Sequence, residues 1–403
     1  MPSSPIEILL PNRPAREPGP APVTDGEHRS LLVALAAVPD PRDPRGKRYP
    51  LVSMLAVAVC AVLAGACTFA AITDWVRDLD RPAWGRLGFA DRAPAATTVW
   101  RLLIRIDAEA LQAVLSRWLR SRAAPLVVAG RRWRLVIAVD GKVERGARLP
   151  DGRQIHLLSA YDTAAGVVLA QVQIAAKSNE IPAFAPLLDR VVAQLGPLDG
   201  VLVVADALHA QTGHAEAVAA RGGHLMVAVK GNQPTLFAQL KTLPWAQVPV
   251  GDRRREVGHG RKETRTVKAL TVATPAGLAF PHAEQAVRIT RTRTIKGKTT
   301  REMAYLVVSL PAEHAQPADL GTWARSEWHI ENRLHYIRDV TLREDAHQAR
   351  TGNGPAVFAT LRNTAIGYHR SNGETNIARA TRRANRRPND LIDAVTTSNP
   401  TTQ

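Results

Sequence analysis

The chain has 403 residues, enough for two or three domains around a sizeable core, and 45% of them are apolar, which excludes wholesale disorder. Lys and Arg number 53 against 36 Asp and Glu, giving a net charge of +17 and a pI near 10.7. Such an excess of positive charge implies a polyanionic partner, because Asp and Glu serve solubility better than Lys and Arg do.

In chain order, residues 1–30 are Pro-rich without a long apolar run and read as a disordered arm, not a signal peptide. Residues 31–125 read as all-helical. HRSLLVALAAVPD forms a short amphipathic helix that PDPRDPRG stops. LVSMLAVAVCAVLAGACTFAAI (51–72) is uncharged, long enough to span a bilayer, and follows Arg42, Arg45, Lys47 and Arg48. It is Ala-rich and has no companion, so a helix buried in a protein core is expected, with no membrane partner. The two cysteines, Cys60 and Cys67, fall on that helix about 10 Å apart, too far for a disulfide. Both are expected to be reduced in a cytoplasmic, nucleoid-associated protein. Neither CxxC nor HExxH occurs, so zinc lacks support. In ATTVWRLLIRIDAEALQAVLSRWLRSR (96–122), Thr97 or Thr98 and then Asp107 are candidate N-caps.

From residue 131 the texture changes. RLVIAVDGK (134–142) is an apolar run for a strand buried on both faces. RQIHLLSAYD and GVVLAQVQIA follow as an antiparallel pair, then a helix with Asn179 as N-cap, strand VLVVAD, a helix and strand HLMVAVK. The order β-β-β-α-β-α-β makes a mixed α/β sheet with helices on its faces. Residues 231–316 read as a basic, β-rich insertion of exposed antiparallel strands. Within it Arg291, Arg293, Lys296 and Lys298 lie in a stretch without acids, suited to backbone phosphate. A long helical segment, 317–348, resumes the α/β unit, which runs to 372. Residues 373–403 are a basic tail: NIARATRRANRRP has five arginines and reads as a flexible tail or surface helix.

Three acids organise the chemistry. Asp140 and Asp206 each end an apolar strand, and Glu331 lies in the amphipathic WARSEWHIENRLHYIRDV (323–340). Two strand-end carboxylates and one helical carboxylate can hold a pair of Mg²⁺ ions, with Mn²⁺ as a substitute, to activate an attacking oxygen and stabilise a leaving one. By i, i+4, i+7 spacing His335 and Arg338 share the face of Glu331 and would meet the DNA backbone or a flipped base. Asp162, Glu180, Glu327, Asp339 and Glu344 are competing carboxylates.

The blocks VPDPRDPRGKRYPL, AVDGK, KSNEIPAFAPLL, VVADALHAQ, VAVKGNQPTL, GHGRKETR, WHIENRLHYIRDVTLREDAHQARTGNGP and LRNTAIG occur in order. In them the chain resembles DDE-type insertion-sequence transposases of the ISAs-type, H-repeat-associated group, over about residues 31–380. The resemblance implies a ribonuclease-H-like core in two parts, 131–230 and 317–372, with a transposase-associated helical domain at 31–125. It implies Asp140, Asp206 and Glu331 as metal ligands, and Arg338 as the basic residue seven positions after the glutamate. It also implies double-stranded DNA partners (the element's terminal inverted repeats and a target), a homodimer on DNA, strand cleavage and transfer of a 3′-OH. Lys142 and Lys230 flank strand ends near that cleft and suit phosphate. A copy that binds DNA without cutting it is the other reading of the same residues.

Overall fold

The computed structural model describes residues 30–397 except 46, 91, 123–134, 149–151, 153, 176–177, 259 and 273–276. The expected arm at 1–29, Lys177 of one matching block and the last residues of the tail lie outside the described residues.

Six helices come first: α1 (Leu31–Leu35), α2 (Leu51–Leu63), α3 (Phe69–Arg77), α4 (Arg81–Arg86), α5 (Ala96–Leu103) and α6 (Ala108–Arg122). Helix α2 is the uncharged segment, and all of it but Val52 is buried. It is shorter than its apolar run. Gly65 turns the chain at φ 100°, and Thr68 then caps α3 by accepting from the Ala71 amide. A 13-residue helix rises only about 20 Å, and no helix among the described residues is long and apolar enough to cross a membrane. Cys60 is buried in α2, whereas Cys67 lies beyond its end; the expectation that both ride one helix is thereby corrected. Asp107 caps α6 as anticipated, but α5 starts after Ala95, not at Thr97 or Thr98.

The sheet is built from β1 (Leu135–Arg148), β2 (Gln154–Asp162), β3 (Val167–Gln173), then α7 (Phe184–Leu195), β4 (Val201–Ala205), α8 (Thr212–Ala219), β5 (His224–Val229) and α9 (Pro234–Thr242). The β-β-β-α-β-α-β order is the expected one. Four more strands come next: β6 (Asp252–Gly258), β7 (Arg261–Thr271), β8 (Gln285–Ile295) and β9 (Lys298–Val308). They join the same sheet, because β9 pairs with β5 and the strand order is β3-β2-β1-β4-β5-β9-β8-β7-β6. Among the described residues only the β1–β4 and β4–β5 pairs are parallel. Helix α10 (Pro317–Ile330), a π-helical turn (Glu331–His335), α11 (Tyr336–Val340), α12 (Gly354–Ser371), α13 (Ile377–Arg386) and α14 (Pro388–Thr396) complete the chain.

The result is a mixed α/β molecule with helices on both faces of its sheet. One face is packed by α7, α8 and α9 through Phe184, Leu188, Val218 and Leu240; the other by α10 through Leu320. The first six helices share a single apolar core with α12 and α14. The segment NIARATRRANRRP forms α13, a surface helix with its arginines exposed and Ile377 and Ala380 buried, while α14 beyond it packs Leu391, Ile392 and Val395 into the core.

Candidate active site

Strands β1 and β4 are adjacent and parallel, with Val139 opposite Ala205. One residue further on, at the edge where the parallel β1–β4 pairing ends, Asp206 leaves β4 while Asp140 continues in β1 opposite Ser159 of β2. That placement arises from two apolar runs that each end in an aspartate. The Asp206 carboxylate accepts from the Leu208 amide at 2.9 Å, capping the turn that leads to His209. Helix α10 crosses this edge and delivers Glu331 at its end. His335 lies between the two acids: its Nδ1 is 3.4 Å from Asp140 and 3.3 Å from Glu331. Burial opposes a charge on His335, but those two bonds more than offset it and raise its pKa; the same contact lowers that of Glu331.

Asp140, Glu331 and His335 each offer one donor atom within 4.8 Å of the others, and carboxylate oxygens are the donors that hard divalent ions prefer. Asp206 is outside that tightest group. A fourth acid, Glu327, is inside the field of all three carboxylates. Its pKa is pushed up to about 7, first by burial, then by Asp140 and Asp206. Sequence reasoning held Glu327 only as a competitor, although its i, i+4 spacing from Glu331 is the signal that puts both on one helical face. Lys230 is exposed at the end of β5, at the same sheet edge, and acts on Glu327 in the opposite sense.

Behind Asp140, Glu180 receives His156 Nε2 and His209 Nε2, both at 3.3 Å. Burial would raise Glu180, but the two histidines hold it down to about 2. A Cβ at Gly141 would overlap the Glu180 carboxylate and crowd His156, so glycine succeeds Asp140 for lack of space. Asn232 Nδ2 donates to the Ala207 carbonyl at 2.6 Å, tying the loop after β5 to the Asp206 turn.

Other expected contacts are placed elsewhere. Arg338 has no exposed surface: it meets Glu344 at 2.8 Å and Glu144 at 3.1 Å, and so is corrected from a DNA contact to the centre of a buried ion cluster. The reason is the π-turn at 331–335, which widens the helix by a residue and rotates the residues after it. Lys142 is only 8% exposed and binds Asp339 at 2.7 Å. Arg291 and Arg293 are paired across the strands, Arg291 with Glu263 at 2.8 Å and both with Glu302 at 3.8 Å. Lys296 and Lys298 are exposed at the β8–β9 turn.

The family described as "Transposase DDE domain" matches residues 134–367, more than half of the chain. This chain belongs to that transposase family. A second family, described as DDE_Tnp_1-associated, matches residues 32–119, the stretch of α1–α6. YncI, a candidate transposase of Escherichia coli O157:H7, is 29% identical over 355 residues, covering 84% of this chain and 86% of its own. YhhI, an H-repeat-associated candidate transposase of Escherichia coli (strain K12), is 28% identical over 358 residues, covering 84% and 90%. A solved piggyBac transposase synaptic complex with hairpin DNA aligns at a TM-score of 0.43 and 10% identity, over 94% of this chain and 85% of that one, too loose a likeness to argue from. Membership of the transposase DDE family implies nuclease chemistry of the polynucleotidyl-transferase type, normally with divalent metal ions.

Proposed function

We propose that the protein binds the terminal inverted repeats of its element and, with divalent metal, cuts DNA strands there and joins the freed 3′-OH to target DNA. The observation that supports this reading is the grouping of Asp140, Glu331 and His335, with Asp206 on the adjacent strand and Glu327 in the field of all three acids, on a chain with net charge +17. Asp140 and Glu331, with Asp206 on the neighbouring strand, would hold Mg²⁺, two ions in the full site, with Mn²⁺ as a substitute. Bound metal lowers the pKa of an attacking water or hydroxyl and screens the charge on the leaving oxygen. The chain's own residues do the rest. His335 orients Asp140 and Glu331 through its Nδ1. Lys230, exposed at the edge, takes a phosphate of the strand being cut. Lys296 and Lys298 meet the backbone further out.

On this reading the chain divides into a helical 31–125, a catalytic 131–230 and 317–372 on a ribonuclease-H-like plan, and a β-rich 231–316 between them whose strands extend the same sheet. A homodimer on paired DNA ends would place one site at each end of the element.

The test is a supercoiled plasmid carrying the element ends, incubated with Mg²⁺ or EDTA. Wild type is expected to nick at the ends only with metal. Asp140→Asn, Asp206→Asn and Glu331→Gln are each expected to lose cleavage by about 10³-fold or more while a gel shift survives. A variant that still cuts removes its residue from the site. Binding without cutting by wild type would favour a DNA-binding protein that is not a nuclease.

A further inference from the structure

The ribbon formed by the outer halves of β6–β9 has two chemically opposite faces, and the strand register decides which residue is on which. On one face lie all four acids of the ribbon: Asp252, Glu256, Glu263 and Glu302. They are neutralised by Arg254, Arg265, Arg291 and Arg293, and by Arg325 from α10, which packs on this side. The arginines of this face are therefore already used.

The other face reads as three cross-strand rows. The outermost is Val257, Lys262, Thr294 and Thr299. The middle row is Arg255, Thr264, Thr292 and Arg301. The inner row is Arg253, Thr266, Thr290 and Met303. No carboxylate occurs in these rows. Nearer the root the same face is covered, because Lys268 donates to the Trp245 carbonyl at 2.7 Å and Arg288 stacks over the Trp245 ring at 5.2 Å. The open part measures about 14 Å by 14 Å from strand spacing and rise, comparable with the roughly 12 Å width of the DNA major groove.

Threonine favours strands, so a threonine row alone says little. The segregation says more. Every acid in the ribbon is turned to the α10 side, and the open side keeps Arg253, Arg255, Lys262 and Arg301, all exposed and without an ion-pair partner among the described residues. Hydroxyls and guanidinium groups on an acid-free sheet face are the donors that phosphate oxygens accept from.

We infer that this face is a docking surface for the sugar–phosphate backbone of duplex DNA, with Arg253, Arg255, Lys262 and Arg301 as its phosphate contacts and the threonine hydroxyls between them. It rests on the transposase reading above and moves the ribbon's DNA contact from Arg291 and Arg293 to the opposite side.

The test measures binding of full-length protein to an end-containing duplex across a salt series. Replacing Arg253, Arg255, Lys262 and Arg301 together by Gln is expected to make the slope of log K against log salt shallower by about 3–4, with affinity at least about tenfold weaker near 0.1 M salt. Thr264→Val with Thr292→Val changes no charge and suits strands; it is expected to weaken binding several-fold without altering the slope. Should the fourfold variant fail to fold, the threonine pair decides. Wild-type slope and affinity in the folded fourfold variant, or unchanged affinity in the threonine pair, would overturn the docking surface while leaving the nuclease reading intact. A wild-type protein that binds no DNA would overturn both.

Discussion

Glu327 is where residue-scale electrostatics can be measured most directly. Burial, then Asp140 and Asp206, raise its pKa to about 7, above the ordinary carboxyl value near 4.3. A carboxyl whose folded pKa exceeds its unfolded one loses stability for the protein as pH rises between the two. Without metal, Glu327→Gln is therefore expected to gain on wild type by about 1–3 kcal/mol in urea unfolding between pH 4 and 8. A difference independent of pH would separate Glu327 from the other acids. Bound metal should shrink the gap, since a cation favours the ionised carboxylate.

Arg338 poses the opposite case. It is fully buried and bonded to Glu344 and Glu144, with Arg362 completing the cluster at 3.3 Å from Glu344. Removing one partner strands buried charge, so Arg338→Ala is expected to lose about 3–5 kcal/mol by urea unfolding. Burial would raise Glu344, but Arg338 and Arg362 lower its pKa. Its share of stability is thus complete above the unfolded value of about 4.3 and disappears as pH falls through the lower folded value. Acid unfolding should be less steep in Arg338→Ala than in wild type. Equal profiles would remove the cluster from the acid response.

At the scale of elements, Asp140 and Asp206 stand out as the first polar residue after an apolar run, but only Asp206 leaves its strand. Strand β1 continues past Asp140 to Arg148, because its outer half pairs with β2 and an apolar run marks burial and not the end of pairing. Glu331 was not legible that way; a helical glutamate has no run to end, and only block matching singled it out. Arg338 was misplaced because regular helical spacing was carried through residues that form a wide turn. Arg291 and Arg293 were misread because acids absent from one strand sit on its neighbours, which spacing along the chain cannot see. Gly141 belongs to this scale too. Gly141→Ala is expected to displace Glu180 from His156 and His209 and to lower cleavage by about 10–100-fold, as loss of groups that support metal ligands does. Wild-type activity in that variant would show that the Glu180 bridge does not position Asp140.

On the scale of the whole molecule, the first and last described segments meet. The Ser30 hydroxyl donates to the Thr396 carbonyl at 3.1 Å, and Arg86 pairs with Asp393 at 2.6 Å. Leu391, Ile392 and Val395 pack into the core that also holds α1 and α2. Each buried aliphatic side chain contributes roughly 1.5–3 kcal/mol, so truncation after residue 375 is expected to lower Tm by ten degrees or more, or to leave the protein insoluble. A truncated protein melting with wild type would return α14 to the role of an appendage.

The amino-acid sequence alone determined the order of strands and helices in the first part of the sheet and the burial of α2, and it marked Asp140 and Asp206 as the first polar residues after apolar runs. These depend on composition and local periodicity, which neighbouring residues along the chain carry. Only the tertiary structure decided that β6–β9 extend the core sheet, that Glu327 joins the other acids, that Arg338 is internal and that the ribbon's acids share one face. Those facts depend on register between strands and on one wide helical turn, relations among residues far apart in sequence that no local pattern encodes.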